Sequence, residues 1–294
     1  MSLTQLFKNK PVTISCELFP PKTDKGVANL LRNVERLNSF KPDFITCTYG
    51  AGGSSQNRTL EILKQVKSQF NIPVASHLTL VGSTVDDLRD YLRRAKEIDV
   101  DYIVALRGDP PQGAEKFEAC EGGLSYANEL VELINSEFKD FGVAVAGYPE
   151  VHQEAVSADV DLENLKRKVD AGSDIVITQL FFDNTDFLKF RDRCRAIGIN
   201  VPIVPGIMPV TDYKQIKRIA TLCGAKLPKE FVDRLAASDD PKDQFQAGVD
   251  HAVSQIANLI DEGTEGLHFY VLNKSDATSA ILKAADVTSR LPIS

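Results

Sequence analysis

The stretch YIVALRGDPP, residues 102–111, shows the pattern that decides the fold. Five apolar residues run without interruption and end in a turn that carries two charged residues, a glycine and two prolines. A continuously apolar strand is typical of a parallel sheet, because helices cover both of its faces. Similar runs recur along the chain, and segments with helical periodicity separate them. The predicted strands are Val12–Phe19, Phe44–Thr48, Val74–Leu80, Tyr102–Leu106, Gly142–Gly147, Ile175–Gln179, Val201–Gly206 and Leu267–Leu272.

Consecutive βα units of this kind predict an α/β fold, a (β/α)8 TIM barrel, and a doubly wound parallel sheet is the alternative. The segment from Leu222 to Glu265 is too long for one crossover. We predict two extra helices there, around Lys229–Ala237 and Asp243–Asp261, before the last strand. The composition does not shift as it would at a linker, so we expect residues 1–294 to form a single barrel domain with no fused regulatory domain.

The composition excludes several classes of protein. With 43% hydrophobic and 26% charged residues among 294, the chain can build a large core, unlike a disordered protein. The net charge is −7 and no long basic run occurs, so we expect no nucleic-acid partner, and an anionic ligand would need a local basic pocket. No apolar run is long enough for a signal peptide or a membrane span, which predicts a cytoplasmic protein with no membrane partner.

Several familiar motifs do not occur. The five cysteines lie far apart and form no CxxC pair, which argues against a disulfide framework and a zinc site. The glycine-rich segment at residues 50–55 lacks the third glycine of GxGxxG and follows the second strand, which disfavours a Rossmann site. P-loop, HExxH and GxSxG motifs are also absent. Only Lys274, after the eighth strand, is placed where a Schiff-base aldolase would need its lysine.

The first strand contains the strongest candidate for acid catalysis. In a TIM barrel the chemistry lies at the carboxyl ends of the strands, and Glu17 stands there in an apolar run before Pro20 and Pro21. Burial would favour its protonated form and prepare it to donate a proton, and a structural ion pair with a lysine or arginine is the alternative. His77, alone in the third strand, is more typical of a hydrogen-bonded core residue than of a catalyst.

Other strand ends carry polar groups with two interpretations each. Small residues after Thr48 allow a ligand to approach the backbone, or they form only a flexible turn. Arg107 and Asp109 flank a glycine and form either part of a site or a local ion pair. Gln179 can bind the edge of a heterocycle or satisfy a backbone group. Tyr148 and His152, after the fifth strand, add an aromatic ring and an imidazole.

The helix after the fifth strand has a polar stripe. Asp161, Asn164 and Lys168 lie along one face, with Arg167 beside them. A charged helix face is normally only solvated. Because this stripe begins near the same end of the barrel as the other candidates, it could instead bind a diphosphate-bearing ligand.

Seven short motifs stand in order at successive βα junctions: CELFPPKT (16–23), HLT (77–79), IVALRGD (103–109), YPEVH (148–152), LKRKVDAG (165–172), TQLFFD (178–183) and HFYVLN (268–273). Together they cover nearly the whole chain and resemble the bacterial methylenetetrahydrofolate reductases. The resemblance implies an FAD-containing TIM barrel that oxidises NADH or NADPH and reduces 5,10-methylenetetrahydrofolate to 5-methyltetrahydrofolate by a ping-pong hydride relay. It also implies a homo-oligomer that serves one-carbon metabolism and methionine biosynthesis.

The resemblance assigns roles to individual residues. Glu17 resembles the general acid that helps to open the five-membered ring of the folate. Asp109 resembles the aspartate near the flavin and the pterin, where its negative charge stabilises a folate cation. Gln179 and Gln215 resemble substrate-binding amides. The residues that resemble the FAD site are Thr48, Tyr49, Ala51, His77, Arg107, Gly108, Asp109, Tyr126, Ala127, Tyr148, His152, Asp161, Asn164, Arg167 and Lys168.

Two positions depart from the family pattern. Lys274 replaces an arginine, so a forked contact to substrate becomes a single ammonium contact. Ile219 replaces an aromatic residue that can stack on the bound substrate, which leaves aliphatic packing. Two other functions remain open from the sequence: another FAD-dependent barrel oxidoreductase, such as a proline dehydrogenase-like enzyme, and a flavin- or pterin-binding module without catalysis.

Overall fold

A computed structural model describes residues 2–49, 56–110, 113 and 116–285. Eight parallel strands close into a barrel in chain order, and the first strand pairs with the last. The strands are β1 (Thr13–Leu18), β2 (Phe44–Cys47), β3 (Val74–Thr79), β4 (Tyr102–Leu106), β5 (Gly142–Gly147), β6 (Ile175–Leu180), β7 (Ile203–Ile207) and β8 (Gly266–Tyr270). The helices are α1 (Leu3–Asn9), α2 (Asp24–Asn38), α3 (Gln56–Phe70), α4 (Val85–Glu97), α5 (Ala127–Glu137), α6 (Ala158–Asp170), α7 (Asn184–Ala196), α8 (Tyr213–Cys223), α9 (Lys229–Ala236), α10 (Pro241–Asp261) and α11 (Asp276–Ala284).

The TIM barrel prediction is confirmed, and the doubly wound alternative is wrong because the sheet closes. The two extra helices before the last strand are also confirmed as α9 and α10. Only β4 and β5 match the predicted bounds at both ends, and the other six strands differ by one or two residues at an end. The largest of these differences, in β7 and β8, have local reasons. β7 begins at Ile203 rather than Val201, because Pro202 has no N–H for the sheet. β8 ends before Leu272, because Leu272 and Asn273 have φ values of +47° and +56°, which turn the chain out of the strand.

The N-terminal end of the barrel is closed by α1, a helix that the sequence analysis did not predict. Its residues Leu3, Leu6 and Phe7 pack against the apolar interior of the barrel. β5 and β8 begin with Gly142 and Gly266, where a Cβ would lie 2.7 Å from Leu3 Cβ and 3.1 Å from Phe7 Cε1. Glycine at these strand starts therefore leaves room for the helix.

Three aspartates tie neighbouring strands together at the same end. Each directly precedes an even-numbered strand, and its N–H donates to a carbonyl of the strand before it while its carboxylate accepts the N–H of that same residue. The pairs are Asp43 with Ile14, Asp101 with Val74, and Asp174 with Val143. Lys10, Lys67 and Thr4 give these three carboxylates a second partner. Every one of these acidic groups is therefore satisfied.

The interior of the barrel is divided by polarity. The inward-facing side chains of β4 to β7 are mainly apolar, and they include Val104, Ala144, Ile175, Ile177 and Val204. Strands β8, β1, β2 and β3 instead contribute buried polar side chains, namely His268, Ser15, Glu17, Thr46 and His77. None of the described helices combines the length and the apolar composition that a membrane span needs.

Candidate active site

A cavity of about 820 Å³ opens at the carboxyl ends of the strands. It brings together sixteen of the residues predicted from the sequence, which are spread along the chain from position 17 to position 179. They are Glu17, Thr48, Tyr49, His77, Arg107, Gly108, Asp109, Tyr126, Ala127, Tyr148, His152, Asp161, Asn164, Arg167, Lys168 and Gln179. Ala51 lies outside the described residues. The size of the cavity suits a cofactor or a drug-sized ligand.

Two predicted substrate-binding residues do not line this cavity. Gln215 is exposed on α8, where its N–H donates to the Asp212 carboxylate that caps the helix. Lys274 is exposed just after the left-handed turn that follows β8. α8 instead contributes Ile219 and Cys223 to the cavity wall. Of the two positions that depart from the family pattern, Ile219 therefore lines the cavity and Lys274 does not.

Glu17 is buried at the bottom of the cavity, with 6% of its surface exposed. Its Oε2 lies 3.3 Å from His77 Nε2 and 3.6 Å from His268 Nε2. The two imidazole nitrogens, and Thr46 Oγ1 on the neighbouring strand, are buried and have no hydrogen-bond partner within the described part of the chain. Such atoms are uncommon in native proteins and call for a functional explanation. The ion pair of Glu17 with lysine or arginine, which the sequence left open, does not occur among the described residues.

The two histidines differ in their surroundings. His268 is fully buried, and its Nδ1 shares a hydrogen bond of 2.8 Å with Ser15 Oγ, which orients the ring. Burial lowers the pKa of His77; the Glu17 carboxylate opposes this effect and His268 adds to it. His77 is therefore a neutral imidazole near pH 7. Glu17 thus faces two imidazole rings, of which Ser15 orients that of His268, rather than a lysine or arginine.

A cluster of positive charge lies on the opposite side of the cavity. Lys168 Nζ donates to Ala146 O at 2.6 Å, and burial lowers the pKa of this lysine to about 8, although the Asp161 carboxylate raises it. Arg167, on the same helix, is exposed and donates to Asn164 Oδ1 at 3.2 Å. The polar stripe predicted on this helix therefore faces the cavity rather than only solvent.

The turn after β4 places its two charged residues apart. Gly108 has φ +88°, a conformation that L side chains rarely adopt. Arg107 forms an ion pair with Glu154 at 2.8 Å. The local ion pair between Arg107 and Asp109, one of the two interpretations from the sequence, is therefore not its principal contact. Asp109 is exposed at the cavity, and its charge adds to the effect of burial in raising the pKa of Cys223.

A hydrogen bond and a ring contact hold His152 in place, and a backbone N–H binds the Gln179 amide oxygen. His152 N donates to Asp161 Oδ2 at 3.0 Å, and its ring meets Tyr148 edge-on with 4.5 Å between the centroids. Leu180 N donates to Gln179 Oε1 at 2.9 Å. The Gln179 oxygen therefore satisfies a backbone group, as one interpretation predicts. Binding of its NH2 group to a heterocycle stays a prediction, and Gln179 lines the cavity.

Several residues of the site have no role predicted from the sequence. His268 and Tyr270 stood in a quoted motif, and Ser15, Glu154 and Cys223 were not singled out. The signal for the first three was available, because polar residues two apart in β1 and in β8 point to the same face of each strand. Glu154 lies in the irregular segment between β5 and α6, and Cys223 is the last residue of α8. At such positions the periodicity of the sequence does not indicate where a side chain points.

Comparison with known proteins agrees with the sequence motifs. A family model described as methylenetetrahydrofolate reductase matches residues 2–286. The 5,10-methylenetetrahydrofolate reductase of Escherichia coli (strain K12) is 41% identical over 271 residues, which are 92% of this chain and 89% of that protein. Methylenetetrahydrofolate reductase (NADH) 1 of Arabidopsis thaliana is 41% identical over 279 residues, but this chain spans only 47% of its length.

Solved structures with lower identity share the barrel. An uncharacterized protein from Clostridium thermocellum that binds two copies of 5-methyl-5,6,7,8-tetrahydrofolic acid superposes with a TM-score of 0.66 at 16% identity, over 98% of this chain and 99% of that chain. A 2,3-dimethylmalate lyase superposes with a TM-score of 0.55 at 10% identity, over 98% and 85% of the two chains. These likenesses show the fold alone. The family model and the bacterial relatives confirm the resemblance seen in the motifs: the chain belongs to the methylenetetrahydrofolate reductase family.

Proposed function

We propose that this chain is an FAD-dependent enzyme that reduces 5,10-methylenetetrahydrofolate to 5-methyltetrahydrofolate, with NADH or NADPH as the reductant. The observation that carries the proposal is the position of Glu17, which is buried at the bottom of a large cavity and flanked by two imidazoles. A passive binding protein has no evident use for such a carboxylate. Opening of the folate ring needs a proton donor that is held away from bulk water.

The chemistry of the cavity fits FAD. Lys168 and Arg167 offer cationic donors for a diphosphate, and Asp161 and Asn164 on the same stripe offer acceptors and donors for hydroxyl groups. An apolar wall, which includes Ala105, Leu106, Ala146 and Leu180, suits a flat ring system. When bound, FAD supplies the group that takes a hydride from the nicotinamide and passes it to the folate.

Glu17 is the proton donor in this proposal. Its O–H bond breaks as an N–H bond forms at the folate nitrogen that leaves the methylene carbon, and the cation that results is the hydride acceptor. The reaction consumes one proton for each hydride, which Glu17 delivers. Ser15 holds His268 in place, and the two imidazole rings shield Oε2 from water. Without such shielding, bulk water would compete for the proton.

Asp109 and Gln179 recognise and stabilise the folate in this proposal. The exposed carboxylate of Asp109 favours a positive charge on the substrate by Coulomb attraction. Gln179 offers its amide NH2 to an acceptor on the pterin, because its oxygen already accepts Leu180 N–H. Both substrates would use one cavity in turn, which implies ping-pong kinetics.

The proposal is tested by the two half-reactions of the purified protein. We expect a flavin absorption spectrum that is bleached by NADH or NADPH without oxygen and restored by 5,10-methylenetetrahydrofolate, with 5-methyltetrahydrofolate as the product by chromatography. A flavin that is reduced but not reoxidised by the folate would contradict the proposal and favour another flavin-dependent oxidoreductase, with proline as the first substrate to try. Flavin that nicotinamides never bleach would indicate a binding module.

A further inference from the structure

The pairing of β6 with β7 is irregular directly beside Gln179. Residues 177–180 of β6 span the same distance as residues 204–206 of β7, so β6 carries one extra residue. Pro205 lies in the shorter segment and has no N–H to donate to β6. An extra residue of this kind is a β-bulge, which re-aims side chains and is over-represented next to active sites.

Two hydrogen bonds hold the bulge. Gly206 N donates to Thr178 Oγ1 at 2.9 Å, and Tyr270 Oη donates to Thr178 O at 2.7 Å. Gly206 makes the second bond possible, because a Cβ at this position would lie only 2.6 Å from the Tyr270 ring. Tyr270 therefore reaches from β8 across β7 to β6. We refer to Thr178, Gly206 and Tyr270 as the bulge clamp.

The bulge determines which atoms Gln179 presents. Leu180 N–H turns to the Gln179 side chain and donates to its Oε1 at 2.9 Å. The amide oxygen is thereby occupied, and the NH2 remains for a ligand that offers an acceptor. We propose that the bulge clamp holds Gln179 in the orientation that recognises the folate, which makes Tyr270 and Thr178 positioning residues for the folate half-reaction. This inference rests on the function proposed above.

Tyr270 also relates the recognition amide to the proton donor. Its Cα pairs with that of Glu17 across β1 and β8, while its hydroxyl bonds to the residue before Gln179. The ring lines the cavity between the two. Folate reduction needs the Gln179 amide and the Glu17 carboxyl group at fixed positions relative to each other. Flavin reduction by nicotinamide needs no proton from Glu17. Loss of the clamp is therefore expected to affect the folate half-reaction selectively.

The first test removes the clamp hydroxyl. Tyr270→Phe should slow reoxidation by 5,10-methylenetetrahydrofolate about tenfold, the effect of one hydrogen bond, and leave flavin reduction within about twofold of wild type. Tyr91→Phe is the matched control, because it removes another buried hydroxyl, bonded to Ser76 Oγ at 2.6 Å, outside the cavity wall. Equal slowing of both half-reactions in Tyr270→Phe would overturn the proposal, because it would indicate misplaced flavin.

A double-mutant cycle tests whether Tyr270 acts through Gln179. In the Gln179→Ala background, Tyr270→Phe should cause no further loss in the rate of reoxidation or in the affinity for 5-methyltetrahydrofolate, measured by calorimetry on the oxidised protein. Effects that multiply would show that Tyr270 acts independently, and they would overturn the proposal.

The second side of the clamp is tested at Thr178, which does not line the cavity. Thr178→Val keeps the shape but removes the acceptor for Gly206 N–H, so the exchange of this amide with deuterium should accelerate about tenfold and folate affinity should fall. Thr178→Ser retains the hydroxyl and should restore both. Normal folate affinity with accelerated exchange in Thr178→Val would overturn the proposal. Wild-type protein that fails to turn over the folate would instead reject the proposed function, before any variant is compared.

Discussion

At the N-terminal end of the barrel, Asp43, Asp101 and Asp174 each accept a backbone hydrogen bond and have a second partner. At the C-terminal end, Glu17 is buried but faces two imidazole nitrogens that have no hydrogen-bond partner in the described ranges. The same type of side chain thus stands in two different surroundings. A carboxylate whose hydrogen bonds are all made stabilises the fold, whereas Glu17 is the carboxylate that we propose as the proton donor.

The two ends also differ in how space is filled. The interior of the closed end is occupied by Leu3, Leu6 and Phe7, which pack onto glycines at the strand starts. The open end keeps a cavity of about 820 Å³ with charged groups around it. Substitutions at the closed end should therefore change stability without changing catalysis, and those at the open end should do the reverse.

The largest effect is expected from Glu17→Gln, which retains the size of the side chain but removes its proton. The folate half-reaction should slow by about 10²–10⁴-fold, the usual contribution of general acid catalysis, and flavin reduction by nicotinamide should be unchanged. Anaerobic stopped-flow absorbance measures each half separately. Glu150→Gln, a carboxylate outside the cavity wall that accepts Lys226 N–H, is the control and should change neither half. Reoxidation of Glu17→Gln at the wild-type rate would show that Glu17 is not the acid.

At the closed end, Asp174→Ala leaves Val143 N–H and Thr4 Oγ1 without their acceptor. The free energy of unfolding should fall by about 1–3 kcal/mol, the cost of an unsatisfied buried group, while both half-reactions keep their rates. Urea denaturation at a fixed FAD concentration measures the change. Asp174→Asn retains an acceptor oxygen and should lose less. If Asp174→Ala slowed the folate half-reaction selectively, the separation between the two ends would be wrong.

The third prediction concerns pH and FAD affinity. Burial lowers the pKa of Lys168 to about 8, whereas a bound diphosphate would favour the charged lysine. Above pH 8 the free protein has lost this proton and must regain it on binding, so FAD affinity should fall by up to about tenfold per pH unit. Fluorescence quenching of FAD measures the affinity from pH 7 to 9.5. Lys168→Arg stays charged and should remove the dependence; a flat profile in the wild type would exclude Lys168 from diphosphate binding.

The smallest effect is expected at Asp109, because its carboxylate is exposed and water screens it. Asp109→Asn should raise the flavin midpoint potential by no more than about 20 mV and slow hydride delivery to the folate. Asp159→Asn, an exposed position that pairs with Arg193 away from the cavity, is the control. Dye-linked equilibrium titration measures the potential, and a lower potential in Asp109→Asn would contradict the electrostatic role.

Most of the barrel was predictable because several strands are continuously apolar and helical periodicity separates them, properties that a short window of sequence contains. The signal for α1 was weaker, since it consists of seven residues with a capping box between Ser2 and Gln5 and no long periodic stretch. The bulge in β6 was not predictable either. It depends on Pro205, Thr178 and Tyr270, which come from three different strands.

The eightfold alternation, the family and the polar residues at the strand ends follow from short windows of sequence, because strand periodicity and βα order act over short distances along the chain. Which of those residues meet depends on the closed barrel. Closing the barrel brings Glu17 beside His268, 251 positions away in the chain, and sets the three pairs of aspartate and backbone at the opposite end. It also leaves Gln215 and Lys274 outside the cavity wall. These outcomes depend on strand register and on the angle of each helix, which no local pattern specifies.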